Sequence, residues 1–208
     1  MTVPVSVVHL LNVSTGESEA AELTHAITEQ HLADWESEWL PALFNAIQRL
    51  KRDGVARLHW PQSRHWNWRN KVNALQGMLA NPGFAIVCDG LTQGMMIVDT
   101  ATHRCRVDGQ KGQHLVYVEN APWNRPELFT PPRYRGVGSI LIRAAVALSE
   151  ELEFRGRIGL HSLPQANSFY ANTCGMTDLG TDPKQENLRY YEMTPEQARA
   201  FVTRGKRP

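Results

Sequence analysis

The stretch that most restricts how this chain can fold is Arg133-Tyr134-Arg135-Gly136-Val137-Gly138-Ser139, because of what stands on either side of it. His114 to Glu119 reads as a strand before it. After it, Ile140, Leu141, Ala144, Ala145, Val146, Leu148 and Leu152 recur at helical spacing and predict a helix over about 137–154, closed by a short strand at Ile158 to Leu160. The resulting strand, glycine turn, helix and strand form an α/β unit. Glycines allow a turn to direct its N–H groups inward as an anion-binding nest, and a helix N-terminus adds partial positive charge, so main chain can hold a diphosphate. Arg133 and Arg135 would add charge. A helix-initiating turn needing one permissive residue explains the same glycine pair.

The rest of the chain reads as follows. Val3, Val5 and Val7 alternate before Leu10 and Leu11, a first strand at about 3–11, and Ser14-Thr15-Gly16 supplies a turn. From Glu17 to Arg52 the spacing of Trp35, Trp39, Leu43, Ile47 and Leu50 predicts helix, kinked or split at Pro41 and ended by Asp53-Gly54. Phe84 to Cys88, Asp89-Gly90, and Leu91 to Val98 predict a hairpin with a primed turn. Asn120 to Pro132 holds four prolines and reads as a shaped loop. Leu188 to Glu192 is a strand, and Thr194-Pro195-Glu196-Gln197 is a capping box opening a terminal helix. The expected organisation is one domain over 1–208, with a helical, Trp-rich portion at 17–83 and a core at 84–204.

The 208 residues carry 22 Lys and Arg against 21 Asp and Glu, so no global field is available to hold nucleic acid or an anionic membrane. With 42% hydrophobic residues and a mean hydropathy of -0.39, the composition is that of a soluble globular domain. Cys88, Cys105 and Cys174 are far apart, without a CxxC pair or an even count, which disfavours a disulfide framework or structural zinc and suits a reducing cytosol. The N-terminus lacks a basic region before its apolar stretch, and no run of ~18 apolar residues occurs. Secretion and membrane spanning are not expected.

Downstream of the glycine pair, Arg157 to His161 is followed by Pro164-Gln165-Ala166-Asn167-Ser168-Phe169-Tyr170 and Cys174-Gly175-Met176. Together these resemble the GNAT N-acetyltransferases. That family's pyrophosphate loop is matched by Arg133, Gly136 and Gly138, and its later signature by Asn167, the Phe169-Tyr170 pair and Gly175-Met176. The resemblance is specific from about His114 to Met193, fair over Phe84 to Val98 and weak before Gly83. It implies a mixed α/β fold: a strongly twisted mixed sheet of six or seven strands, helices on both faces, and a central parallel pair, His114 to Glu119 and Arg157 to His161, that splays apart over acetyl-CoA. The pantetheine arm would pair with the first of these strands at Val116, Tyr117 and Val118. Arg133, Tyr134, Arg135, Gly136, Val137, Gly138 and Ser139 would take the pyrophosphate, with Asn167 and Tyr170 completing the cofactor site. No metal is expected.

Acetyl transfer to an amine needs a neutral nucleophile and a proton for the departing thiolate. The resemblance makes Tyr170 the general acid, since a phenol is protonated at pH 7; a helix aromatic packed on the sheet is the other reading of it. Tyr170 to Gly175 is one residue longer than the family's usual spacing, so the helix end is altered and Phe169 and Tyr170 could exchange roles. No Glu occupies the early position in Gln113 to Val118 where the family often keeps its base. Glu119 at the strand's far end is ranked ahead of His114, with a water chain or the amine's own deprotonation as alternatives. His161 and Cys174 read as packing residues.

Two features bear on the acceptor. Residues 49–71 carry Arg49, Lys51, Arg52, Arg57, Arg64, Arg69 and Lys71 around Trp60, Trp66 and Trp68, either a nucleic-acid surface or, as favoured here, a solvated basic face anchored by tryptophans. In the Asn120 to Pro132 loop, Trp123, Asn124 and Arg125 either line an acceptor channel or plug the loop onto the core. The function expected is an acetyl-CoA-dependent N-acetyltransferase acting by direct ternary-complex transfer on an amine of a small molecule, peptide or protein. The alternative is a non-catalytic GNAT-fold module binding CoA or RNA. A cytoplasmic monomer or homodimer without a membrane partner is expected.

Overall fold

In the computed structural model, which describes residues 4–75 and 78–204, Val5 and Val7 of the alternating valines lie on β1 (Val5–Asn12), Val3 falls outside the described residues, and the chain turns back into β2 (Ser18–Thr24). Helix starts at Glu29, with α1 (Glu29–Asp34), a π-helical turn at Trp35–Trp39, and α2 (Leu40–Arg52). After α3 (Trp68–Leu75) come β3 (Gly83–Cys88), β4 (Leu91–Asp99), β5 (Gln113–Asn120) and the two-residue β6 (Tyr134–Arg135). The chain ends with α4 (Val137–Glu151), β7 (Ile158–Ser162), a second π-helical turn at Phe169–Cys174, β8 (Thr177–Asp182), β9 (Leu188–Met193) and α5 (Pro195–Arg204). The strands form a nine-stranded mixed sheet in the order β6-β1-β2-β3-β4-β5-β7-β9-β8, where six or seven were expected.

The chain divides into two compact units. The first gathers Met1–Met78, Gly83–Met95 and Val118–Gly138; the second gathers Leu79–Pro82, Met96–Tyr117 and Ser139–Pro208.

In the first unit, the expectation of helix from Glu17 onward is corrected. Ser18 to Thr24 is an antiparallel strand whose register with β1 runs from Leu11 opposite Ser18 to Val5 opposite Thr24. Ala20, Ala21, Glu19 and Glu22 favour helix when considered alone, but pairing with β1 and β3 buries Ala21 and Leu23, and that tertiary gain overrides a propensity of tenths of a kcal/mol. Pro41 stands in the first turn of α2, and the helical run is divided just ahead of it by the π turn Trp35–Trp39. In that π turn Leu40 donates its N–H five residues back to the Trp35 carbonyl. The Asp89-Gly90 turn has both residues at positive φ, 52° and 69°, as a primed hairpin turn requires. Two polar anchors hold α1 and its π turn to β4: Trp39 Nε1 donates to the Thr92 carbonyl at 2.8 Å, and the Asp34 carboxylate accepts from the Thr92 N–H and hydroxyl. Leu128 and Phe129 of the proline-rich loop pack on Leu43, Ala46, Ile47 and Leu50 of α2, and Arg49 donates to the Leu128 carbonyl at 2.6 Å.

In the second unit, Leu141, Ile142 and Ala145 of α4 are wholly buried. β9 pairs antiparallel with β7, from Ile158 opposite Met193 to Ser162 opposite Arg189, and its other edge carries β8 with a register shift between Asp178 and Thr181. The capping box forms as read: Thr194 N–H donates to Gln197 Oε1 at 2.8 Å and Gln197 N–H to Thr194 Oγ1 at 3.3 Å.

Candidate active site

The parallel pair predicted at the centre is β5 and β7. Their register joins Gln113, His114 and Leu115 to Ile158, Gly159 and Leu160 and stops there, although β7 continues to Ser162 and β5 runs on through Val116 and Tyr117. All these residues belong to the second unit. Val116 and Tyr117 are half-buried.

The glycine turn leads directly into α4. Gly136 has φ +100°, a conformation costly for a residue with a Cβ, and the first N–H groups of α4, those of Val137, Gly138 and Ser139, have no carbonyl one turn earlier to receive them. The residues ahead of the turn are fixed. Arg133 N–H donates to the Trp123 carbonyl at 2.8 Å, the Arg133 carbonyl accepts from Val13 N–H at 3.0 Å, and the Arg133 guanidinium pairs with Asp89 at 2.6 Å. Tyr134 is buried, and its hydroxyl donates to Glu19 Oε2 at 2.8 Å. Tyr134 therefore anchors the loop as a core aromatic, while Arg135 stays exposed.

In the second unit, the stretch between Tyr170 and Gly175 forms the π turn Phe169–Cys174. Gly175 N–H reaches back five residues to the Tyr170 carbonyl, and Gly175 closes the turn at φ +70°. Tyr170 is buried beside Phe169 and Tyr191, with ring centroids 5.2 and 6.0 Å away, and burial pushes its hydroxyl above the ordinary phenol value. Its proton is thus retained at neutral pH. Asn167, on the same short segment, has a buried Oδ1 with no hydrogen-bond partner among the described residues. An unsatisfied buried acceptor costs about 1–3 kcal/mol, so this atom is suited to a ligand donor. Cys174 is wholly buried and its thiol is pushed up to about 12 by burial, a packing residue in a thiol state.

Glu119, in the first unit, is almost fully buried. Its Oε2 accepts from Trp68 Nε1 at 2.6 Å and its Oε1 from Arg125 at 3.4 Å; burial raises its pKa, opposed chiefly by the Arg125 charge. The three loop residues assigned to the acceptor have internal partners. Trp123 Nε1 donates to Gln93 Oε1 at 2.8 Å, and Asn124 bonds the same oxygen and accepts from Tyr134 N–H. Arg125 also reaches Glu127 at 2.9 Å and Ser63 at 3.1 Å. Sequence reading missed Ser63, Trp68 and Lys71 as neighbours of this carboxylate, since no local spacing joins them to it. Lys71 lies over the Trp66 ring, and Arg69 bridges Glu29 and Glu36, so much of the basic, Trp-rich segment makes contacts within its own unit.

His114 belongs to a ring cluster of the second unit with His103 and His161, centroids 5.3 Å from each. Burial, helped by those two histidines, pushes it down to about 4, which makes it a weak base.

No family model matches the chain, and no curated protein sequence does. Among solved structures, the chain is similar to the GNAT domain of S. lividans PAT, at 15% identity over 91% of this chain and 96% of that one, with a TM-score of 0.52. It is also similar to Mycobacterium smegmatis RimJ, solved in complex with CoA-disulfide, at 16% identity over 99% and 98% of the two chains and again a TM-score of 0.52. With the glycine turn, the parallel β5 and β7 and the segment bearing Tyr170 in place, this chain has the fold of the GNAT acetyltransferases.

Proposed function

We propose that this chain is an acetyl-CoA-dependent N-acetyltransferase. The observation that carries the reading is the Gly136 turn, whose positive φ feeds the chain into three α4 amides without helical acceptors, a preformed cradle for a diphosphate. The unpartnered Asn167 Oδ1 supports it independently as an acceptor for an amide N–H of the pantetheine arm.

In the proposed reaction the amine nitrogen attacks the thioester carbonyl carbon, the carbon–sulfur bond breaks, and Tyr170 gives its proton to the departing thiolate. Val116, Tyr117 and Val118 align the pantetheine, and a backbone N–H of that strand polarises the carbonyl. The amine proton passes to Glu119, directly or through water. Glu119 is preferred to His114 because burial raises the basicity of the carboxylate and lowers that of the imidazole. Trp123, Asn124 and Arg125 shape the acceptor side mainly by holding the proline-rich loop in place. The test is to incubate the protein with acetyl-CoA and a panel of amines, peptides and proteins while following free thiol and titrating CoA by calorimetry. Acceptor-dependent thiol release supports the enzyme. Saturable CoA binding without release on any acceptor would make it a binding module, and absence of binding would remove the proposal.

A further inference from the structure

Three donors of different chemistry converge in the second unit: His103, Cys105 and Glu192, with a ring nitrogen, the sulfur and a carboxylate oxygen all within 4.8 Å of one another. They belong to different parts of the chain. His103 and Cys105 flank Arg104, which is bridged to Lys111, and Cys105 N–H donates to the Gln110 carbonyl at 2.9 Å, so a tight loop presents both side chains. Glu192 is on β9, in register with Gly159 of β7.

Each donor is oriented. Glu192 Oε1 accepts from the Arg106 N–H and from Tyr190 Oη at 2.8 Å, filling its lone pairs, whereas Oε2 accepts, among the described residues, only from Val107 N–H at 2.8 Å and retains one. Tyr190 Oη also lies 3.0 Å from His103 Nε2. Cys105 Sγ, 4% exposed as a residue, makes no hydrogen bond among the described residues. Space around these atoms depends on glycine: a Cβ at position 112 would come within 2.7 Å of Cys105 Sγ, and one at position 159 within 2.5 Å of His103 Nε2. The nearby Arg106 guanidinium is neutralised by Asp182.

We propose that His103, Cys105 and Glu192 form a binding site for a divalent transition metal of the zinc class, tying the 103–112 loop to β9. Nitrogen, sulfur and oxygen donors are the ligands zinc takes, and tetrahedral bonds of ~2.0–2.3 Å set donors ~3.3–3.8 Å apart, within reach of a small inward movement from the observed spacing. Three protein ligands leave a fourth position for water. The Cys105 thiol loses its proton when sulfur bonds the ion, one proton being released per ion. One thiolate and one carboxylate then balance a dication in a buried site. The two backbone N–H groups and Tyr190 on Glu192 are the surrounding hydrogen bonds that hold a ligating carboxylate in place.

The test uses untagged full-length protein, stripped with chelator, loaded with Zn2+ and dialysed, with a parallel Co2+ titration. The expected result is one zinc retained per chain and a thiolate-to-cobalt charge-transfer band. That band should vanish in Cys105→Ser, persist in Cys88→Ser and Cys174→Ser, and Glu192→Gln should weaken binding by more than about tenfold. Should Cys105→Ser or Glu192→Gln not fold, His103→Gln, at a more exposed position, is checked by far-UV circular dichroism and titrated in their place. No retained metal, a band that survives Cys105→Ser, or an unchanged cobalt spectrum in folded His103→Gln would each overturn the site.

Discussion

Tyr170 and Lys71 show how burial sets the chemistry of single side chains. Burial keeps the Tyr170 hydroxyl protonated, the state a proton donor needs, and Phe keeps the ring that packs on Phe169 and Tyr191 while deleting the donor. Tyr170→Phe should therefore lower kcat by about 10²-fold and leave acetyl-CoA affinity and thermal stability near wild type. Steady-state kinetics with an acceptor for which chemistry is limiting checks this; a wild-type rate would return Tyr170 to the core aromatics. Lys71 is pushed down to about 8 by burial, against the attraction of Glu119. Because the unfolded lysine holds its proton up to about 10.5, the unfolded chain binds the extra proton between these values. Stability from this group is greatest above 10.5 and is lost as pH falls towards 8. At pH 8 roughly half of Lys71 is the reactive neutral amine, so limited labelling with an acylating reagent and peptide mapping should find Lys71 modified well ahead of Lys51, Lys111 and Lys184. Equal labelling would contradict the assignment.

The two altered turns have the same physical logic at the level of elements. Each π turn replaces the four-residue hydrogen bond by a five-residue one: Leu40 N–H to the Trp35 carbonyl just ahead of Pro41, and Gly175 N–H to the Tyr170 carbonyl where the second turn closes. The glycine turn before α4 is the element on which the proposed cofactor binding rests. In Gly136→Asp, a Cβ at φ +100° costs about 1–2 kcal/mol, and the carboxylate repels a diphosphate. Calorimetry on folded variants should show acetyl-CoA binding abolished in Gly136→Asp and only weakened in Arg133→Ala, whose guanidinium is already committed to Asp89. Undiminished affinity in Gly136→Asp would remove the cradle.

On the scale of the whole molecule, Cys88, Cys105 and Cys174 are free and buried, and stability comes from core packing without a cross-link. An aromatic-disulfide thiol reagent should find close to no reactive thiol in the native chain and three after denaturation, and a reductant should leave the melting temperature unchanged. Rapid native reaction of all three would mean that the buried core opens readily.

What could be read without coordinates was local or periodic. The β3 and β4 hairpin followed from Asp89-Gly90, the α4 helix from its apolar spacing, the α5 start from Thr194 and Gln197, and the fold from the glycine turn combined with Asn167, Phe169 and Tyr170. Tertiary structure alone decided the remainder. β2 exists because β1 and β3 pair with it, against the helical leaning of its alanines and glutamates, and β6 is too short to carry any period. The surroundings of Glu119 and the meeting of His103 with Glu192 join residues 51 and 89 positions apart. Spacing along a chain encodes neighbours within one turn or one hairpin; which distant side chains share a buried space is settled when the sheet assembles and desolvates them together.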